Sequence, residues 1–240
     1  MRNVIFSLAL LASTSNAHAL LINIDFQPSG STVYSGQGML GSATDTVWNA
    51  VDFGGASNLT LADGTVGSGV NVATSFDWSF SNLSFSSSSS NLDYPPNLST
   101  NTLLSDRLIG VDGTTNRTIM LTGLSANSTY NVVLYNGWYA QTYSADGQSA
   151  DTDPVSDISA NNNYPSWTEG VEYAVLRACV SDAAGQLVIQ VAPLDGLTDF
   201  DPPNSAVAGL QIQAVPLPTA LYLFVTGLFG LAGLARREMP

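Results

Sequence analysis

The chain has 240 residues, of which 45% are hydrophobic and only 10% are charged, and its 19 acidic residues against 6 arginines give a formal net charge of −13. Lysine is absent. Because such an acidic surface repels phosphate backbones, the composition excludes nucleic acid as a partner. The one histidine, His18, lies in a predicted leader peptide, so the mature chain lacks the residue needed for a Ser-His-Asp or Cys-His nucleophile or a histidine-ligated zinc site.

Residues 1–19 have the order of a secretory signal peptide. Arg2 supplies the positive charge, residues 4–12 form the apolar segment, and Ala17 and Ala19 form an A-x-A cleavage site. The apolar segment is much shorter than the roughly 20 residues of a membrane-spanning helix. We therefore expect a signal helix that engages the secretion translocon and is then removed, leaving Leu20 as the first mature residue.

Residues 20–214 show a succession of short strand patterns and are expected to form a single all-β domain, a β-sandwich. Residues 21–26 alternate, with Ile22, Ile24 and Phe26 on one face, as in a half-buried strand. Residues 82–101, with five consecutive serines, and residues 141–166 are predicted to be long irregular loops. The other strands are predicted at residues 46–53, 58–62, 70–76, 107–111, 117–121, 130–136, 171–180, 186–191 and 207–213.

A polar turn joins two of these predicted strands, with Leu124 and Tyr130 on either side of it. This arrangement is similar to the tyrosine corner of β-sandwiches, in which a tyrosine side chain ties a loop to the next strand. The order of the strands resembles the galactose-binding-like or carbohydrate-binding jelly-roll sandwiches, and an immunoglobulin-like or lectin-like sandwich fits the same pattern.

Cys179 is the only cysteine, which excludes an intrachain disulfide. It is predicted to be a buried strand residue, or alternatively to form an intermolecular disulfide.

An aromatic cluster lies at the end of the predicted strand that finishes at Asn136, and it consists of Tyr135, Trp138, Tyr139 and Tyr143, with Tyr164 and Trp167 further along the chain. Sugars present flat apolar C–H faces, and exposed aromatic rings flanked by amides and carboxylates are suited to bind them. The alternative is that these rings cover the sandwich core, since large aromatic side chains dominate protein interiors. The glycan-binding residues predicted from this cluster are Trp138, Tyr139, Tyr143, Tyr164 and Trp167.

Closely spaced acidic residues indicate a second candidate site. Asp151, Asp153 and Asp157 lie within seven residues of one another, and Asp199 and Asp201 form a further pair. Because calcium takes six to eight oxygen ligands, the group of three is a predicted calcium site, with solvated loop carboxylates as the alternative.

The domain contains two glutamates, at positions 169 and 172. We expect the protein to be non-enzymatic, and the alternative is a carboxylate-dependent enzyme that acts on glycans.

The chain ends in a proline-containing motif, an apolar stretch at residues 219–235 and two arginines. At about 1.5 Å per residue, the stretch would form a helix about 25 Å long, just enough to span a bilayer. The arginines would remain cytoplasmic by the positive-inside rule, leaving the domain on the other side of the inner membrane. The residues that form the motif and the basic end are Val215, Pro216, Leu217, Pro218, Arg236 and Arg237.

This tail, residues 215–240, resembles the PEP-CTERM sorting signal of Gram-negative bacteria, with Leu217 in place of the family's glutamate. The resemblance implies processing by an exosortase-type membrane enzyme, transient anchoring in the inner membrane, and final location at the cell surface or in the extracellular matrix. We therefore expect an exported, non-catalytic β-sandwich associated with exopolysaccharide or biofilm matrix, with polysaccharide as its partner. The alternative is a structural matrix or adhesion protein without a discrete ligand site.

Overall fold

The computed structural model describes residues 20–76, 102–105, 107–110, 117–136, 140–153, 167–194 and 205–216. Strands dominate these ranges, and they are joined by turns rich in glycine, asparagine and aspartate. The elements are β1 (Leu21–Phe26), β2 (Trp48–Val51), β3 (Asn71–Thr74), α1 (Thr102–Ser105), β4 (Leu108–Gly110), β5 (Arg117–Thr122), β6 (Thr129–Tyr135), β7 (Gln141–Ala145), β8 (Gln148–Thr152), β9 (Tyr173–Val180), β10 (Leu187–Pro193), β11 (Ser205–Val207) and β12 (Gly209–Ala214).

The strands form two five-stranded sheets and one two-stranded ribbon. Sheet A has the order β2-β1-β12-β6-β9, and sheet B has the order β3-β5-β10-β7-β8. The ribbon pairs β11 with β4. Within sheets A and B, β1 and β2 are parallel and every other pair is antiparallel. The expectation of an all-β sandwich is thereby confirmed.

The core lies between the two sheets and consists of aliphatic side chains from the alternate positions of each strand. Ile22 and Ile24 enter it from sheet A, and Ile119, Leu121 and Ile189 enter it from sheet B, all without solvent exposure. Burial on one face and partial exposure on the other, as seen along β5, is the pattern of an antiparallel strand with one covered face. Burial of each of these side chains stabilises the fold by roughly 2 kcal/mol.

The prediction that the first strand is half-buried is wrong, because all six residues of β1 are buried. Residues 33–47 cross the outer face of sheet A and cover its polar positions, Asn23 and Asp25. The side-chain amide of Asn23 donates to the carbonyls of Asp45 and Val47 at 3.0 and 3.1 Å. The alternation in sequence therefore separates two buried environments, one apolar and one polar.

A second prediction, that residues 141–166 form an irregular loop, is wrong for the part that the structure describes. Residues 141–152 form the hairpin of β7 and β8, which turns at Asp146 and Gly147 with φ angles of 47° and 73°. Positive φ at both positions is the geometry of a tight type I′ turn, for which Asp-Gly is a favoured pair. The strands were missed because their exposed positions are polar or small rather than apolar or β-branched.

Residues 58–62, predicted to form a strand, do not belong to either of the two sheets. This segment runs beside β2, where the side chain of Asn49 replaces backbone pairing by bonding to both the N–H and the C=O of Thr60 at 2.8 Å. Covering the sheet edge in this way removes a surface on which another strand could pair.

Two local predictions are confirmed. The backbone N–H of Ser125 donates to the hydroxyl of Tyr130 at 3.0 Å, which forms the predicted tyrosine corner. Cys179 is a free, fully buried strand residue. Burial raises the pKa of its thiol to about 11, with a smaller contribution from the charge of Asp146.

Among the residues that the structure describes, no helix is both long enough and apolar enough to cross a membrane. The predicted signal peptide, the predicted loop at residues 82–101 and the apolar stretch at residues 219–235 lie outside the described residues.

Candidate functional site

Five aromatic rings form a continuous row across the outer face of sheet A. The ring of Tyr34 meets that of Trp48 edge-on at 5.1 Å between centroids, and Trp48 meets Tyr135 at 5.9 Å. Tyr135 then meets Trp167 at 5.8 Å and Tyr173 at 6.3 Å. The first three contacts are edge-to-face, a geometry that contributes about 1 kcal/mol each beyond burial, and the Tyr135–Tyr173 pair is tilted. We call these five residues the aromatic row.

The row has a buried centre and a partly exposed rim. Trp48 and Tyr135 are buried, and burial raises the pKa of the Tyr135 phenol well above its usual value. Tyr34, Trp167 and Tyr173 keep part of their rings accessible, and burial is also the first cause of the raised pKa of the two tyrosines. The rim can therefore offer apolar ring faces to a ligand while the centre holds them in place.

A buried amide, Gln211 of β12, anchors the segment that covers this face. Its Oε1 accepts hydrogen bonds from the N–H of Leu40 at 2.9 Å and the hydroxyl of Tyr135 at 2.5 Å. Its Nε2 donates to Oδ1 of Asn23 at 2.7 Å and to the carbonyl of Leu40 at 3.2 Å. The Tyr135 hydroxyl in turn accepts from the N–H of Met39 at 2.8 Å. All four hydrogen-bonding positions of the amide are used, so the network locks the covering segment to the sheet.

Glycine is required where this segment crosses Gln211. A Cβ atom built at Gly38 would collide with Nε2, Cδ and Oε1 of the Gln211 side chain. Because that side chain is buried and fully hydrogen-bonded, it has no room to move aside. The close approach of the backbone therefore depends on the absence of a side chain at this position.

Trp167, at the rim, is held in an uncommon backbone conformation. Its φ is 53°, in the left-handed region that bulky residues rarely adopt. The turn that follows fixes this geometry, since Oε2 of the buried Glu172 accepts from the N–H of Thr168 at 2.8 Å, and the N–H of Glu172 donates to the carbonyl of Thr168 at 3.2 Å. Strain of this kind costs about 1–3 kcal/mol and is concentrated at functional sites.

An exposed ion pair lies beside the rim. The Nη1 and Nη2 atoms of Arg177 donate to Oε1 and Oε2 of Glu169, at 2.7 and 2.8 Å. This hydrogen bonding holds the pKa of Glu169 below its usual value. Glu169 forms a β-bridge with Tyr173, which places the ion pair next to the aromatic row.

The structure places the glycan-binding residues predicted from sequence in different environments. Tyr143 points into the sandwich core, is fully buried, and donates from its hydroxyl to the carbonyl of Ala206 at 3.1 Å. The prediction that its ring contacts a sugar is wrong, because no face of it reaches the surface. Trp167 belongs to the aromatic row. The three others, Trp138, Tyr139 and Tyr164, lie outside the described residues.

Sequence reasoning missed three members of the row, Tyr34, Trp48 and Tyr173. Trp48 and Tyr173 lie inside predicted strands and are the first residues of β2 and β9, but alternation along one strand does not show that its outer face is also covered. Tyr34 lies in a segment without strand periodicity, and no local signal indicates its role.

The acidic residues of the predicted calcium site are only partly described. Asp151 is an exposed residue of β8, Asp153 follows the strand, and Asp157 lies outside the described residues, as do Asp199 and Asp201. In the described ranges, no group of three or more histidine, cysteine or acidic side chains is arranged to hold a metal ion. Calcium binding here stays a prediction.

The predicted sorting residues lie mostly beyond the described ranges. Val215 and Pro216 follow β12 and are exposed. The other positions of the two predicted signals, Leu217, Pro218, Arg236, Arg237, Ala17 and Ala19, are outside the described residues.

No protein-family model and no curated protein matches this chain. Among solved structures, the extracellular domain of ANXUR1 from Arabidopsis thaliana is 15% identical at a TM-score of 0.35, over 48% of this chain and 32% of that one. The plant receptor-like kinase ANX2 is 16% identical at 0.36, over 61% and 40%. A chain of the complex of the plant peptide RALF23 with FER and LLG2 is 13% identical at 0.41, over 89% and 54%. This chain thus spans 32% to 54% of the length of these three structures, at scores too low to assign a family or a function.

Proposed function

We propose that this chain is an exported, non-catalytic β-sandwich of the bacterial cell envelope or extracellular matrix that binds polysaccharide at the rim of the aromatic row. The observation that carries the proposal is Trp167, a partly exposed indole that is strained in its backbone and fixed edge-on against the buried ring of Tyr135. A rigid aromatic anchor loses little conformational entropy when it binds, which favours affinity. The likeness of the strand order to jelly-roll sandwiches of the galactose-binding-like type supports the same function.

The order of the strands supports this finer assignment of the fold. If β2, β3, β4 and β11 are set aside, the remaining eight strands, renumbered along the chain, are arranged 1-8-3-6 in sheet A and 2-7-4-5 in sheet B. This alternation between two sheets is the arrangement of a jelly roll.

The proposed ligand is a neutral glycan. With a net charge of −13, the protein would repel a strongly anionic polymer unless cations bridged the two. The ion pair of Glu169 and Arg177 supplies polar groups beside the rings for sugar hydroxyls. The contacts of the two glutamates also support a non-catalytic role, since Glu169 is paired with Arg177 and Glu172 is buried against the backbone of Thr168.

Retention on the cell's own neutral polysaccharide tests the proposal. Trp167→Ala removes the anchor, and we expect retention of residues 20–216 to fall about tenfold or more, from the loss of roughly 1.5 kcal/mol of aromatic contact. Phe53→Ala is the matched control, because Phe53 is an exposed aromatic residue, 51% accessible, outside the row. Circular dichroism confirms that both variants are folded. Equal retention of the folded Trp167→Ala variant and the unsubstituted domain would refute glycan binding at this site.

The proposed export and sorting are tested separately. Mass spectrometry of the mature protein should show an N-terminus at Leu20 and a C-terminal cut near Pro216 that disappears in cells lacking the exosortase-type enzyme. A structural matrix protein, the alternative, predicts self-association or crosslinked species and no glycan specificity.

A further inference from the structure

The chain enters and leaves the domain at the same end of the sandwich. The N–H of Ala214, at the end of β12, donates to the carbonyl of Leu20 at 2.8 Å, and the N–H of Val215 donates to the carbonyl of Thr129 at 2.8 Å. The first residue after the predicted signal cleavage and the last residue before the sorting motif therefore leave the domain at the same place. We call this end, marked by Leu20, Thr129 and Val215, the tail pole.

The rim of the aromatic row lies towards the opposite end. Tyr135 pairs with Gly209 and with Tyr173, whereas Ala214 pairs with Tyr130. Five residues of β12 thus separate the Tyr135 level from the level of Ala214, or about 17 Å at the rise of an antiparallel strand. Trp167 and Tyr173 contact Tyr135 at this distant level.

The connection from the tail pole to the apolar stretch is short. Val215 is still hydrogen-bonded to the sheet, and only residues 216–218 separate it from the start of the stretch at residue 219. Four residue spacings reach at most about 14 Å. Two of the three intervening residues are prolines, whose fixed φ stiffens the connection.

The tail pole presents carboxylates on its turns. Asp182 accepts from the N–H groups of Ala184 and Gln186 at 2.8 Å, in the turn between β9 and β10. Asp146, at the tip of the β7–β8 hairpin, accepts from the N–H of Val180 at 2.8 Å. Both turns therefore lie at the tail pole, next to the pairing of Val180 with Thr129.

We propose that the anchored domain stands with its tail pole towards the bilayer and holds the rim of the aromatic row away from it, so that the membrane-bound form already presents its glycan site. This inference rests on the proposed function, in which residues 219–235 enter the membrane. The short connection limits how far the domain can turn over. The anchored domain can therefore bind polysaccharide while it is still attached to its tail.

Energy transfer to the membrane tests this orientation. Residues 20–240 are reconstituted in vesicles of phosphatidylcholine and phosphatidylglycerol that contain an acceptor dye in the lipid. In a Cys179→Ala background, a donor dye is attached through Ala184→Cys at the tail pole or through Ser29→Cys, an exposed residue just beyond the opposite end of β1. We expect at least about twofold more transfer from residue 184, because a seven-residue strand places the two ends roughly 20 Å or more apart.

Equal transfer from the two positions, or more from residue 29, would overturn the orientation. Failure of the protein to float with the vesicles would overturn it too, by removing its membrane premise, and would leave the retention result for Trp167→Ala unaffected. As a second readout, vesicle-bound protein should bind the polysaccharide as well as residues 20–216 do. Polysaccharide binding weaker by about tenfold or more, corresponding to 1.4 kcal/mol, would show that the site of the anchored form is inaccessible and would overturn the proposal.

Discussion

Replacement of Gln211 by leucine tests whether the polar network beneath the aromatic row holds the outer cover of sheet A. The substitution keeps the approximate size of the side chain and removes all four of its hydrogen bonds. The N–H and C=O of Leu40 and the Oδ1 of Asn23 lose the partners that Gln211 supplies. The Tyr135 hydroxyl still accepts from the N–H of Met39, but its O–H loses the Gln211 oxygen to which it donates.

The expected loss follows from the number of groups involved. A buried polar group without a partner costs about 1–3 kcal/mol. The two bonds to Leu40 are partly accessible to water, and those to Asn23 and Tyr135 are buried. With about 1 kcal/mol for each of the four groups left without a partner, and little gain from the added methyl groups in a polar pocket, the free energy of unfolding should fall by about 4 kcal/mol.

Urea denaturation followed by tryptophan fluorescence and circular dichroism measures this loss, since Trp48 and Trp167 lie in the row itself. Gln190→Leu is the matched control, because Gln190 is an exposed residue of β10 on the outer face of sheet B. We expect that variant to change stability by less than about 0.5 kcal/mol. A loss below about 1 kcal/mol for Gln211→Leu would refute the view that this amide secures the covering segment.

Three further outcomes are expected. Tyr130→Phe removes the bond from the N–H of Ser125 and should lower the free energy of unfolding by about 1 kcal/mol, measured by denaturation; no change would show that the corner contributes packing alone. Thiol reagents should leave Cys179 unlabelled in the folded protein near pH 8 and label it once after unfolding, because burial raises its pKa to about 11. Stability should fall as the pH rises above about 9, since this thiol and the buried Tyr143 phenol keep their protons only in the folded state, whereas the unfolded groups ionise near 9 and 10. Tyr143→Phe should flatten that decline by up to about 1.4 kcal/mol per pH unit, and an unchanged slope in thermal melts would contradict the assignment.

The sequence by itself determined the features that depend on neighbours along the chain. Alternation of apolar residues placed most strands, including β5 and β6, and a polar turn flanked by Leu124 and Tyr130 identified the tyrosine corner. The apolar run around Cys179 was sufficient to predict its burial. These predictions succeed because side-chain period and turn chemistry are local properties that tertiary contacts here reinforce.

Only the tertiary structure decided where the candidate site lies. The aromatic row brings together Tyr34, Trp48, Tyr135, Trp167 and Tyr173, which are as much as 139 positions apart in sequence, the difference between 34 and 173. It exists because residues 33–47 cover the second face of sheet A, and a strand buried on both faces cannot be recognised from alternation alone. The same packing turned Tyr143 inwards and left Trp167 at the rim. The alternation of apolar residues shows which side chains share a face of a strand. Which segment packs on that face depends on tertiary contacts between residues far apart in sequence.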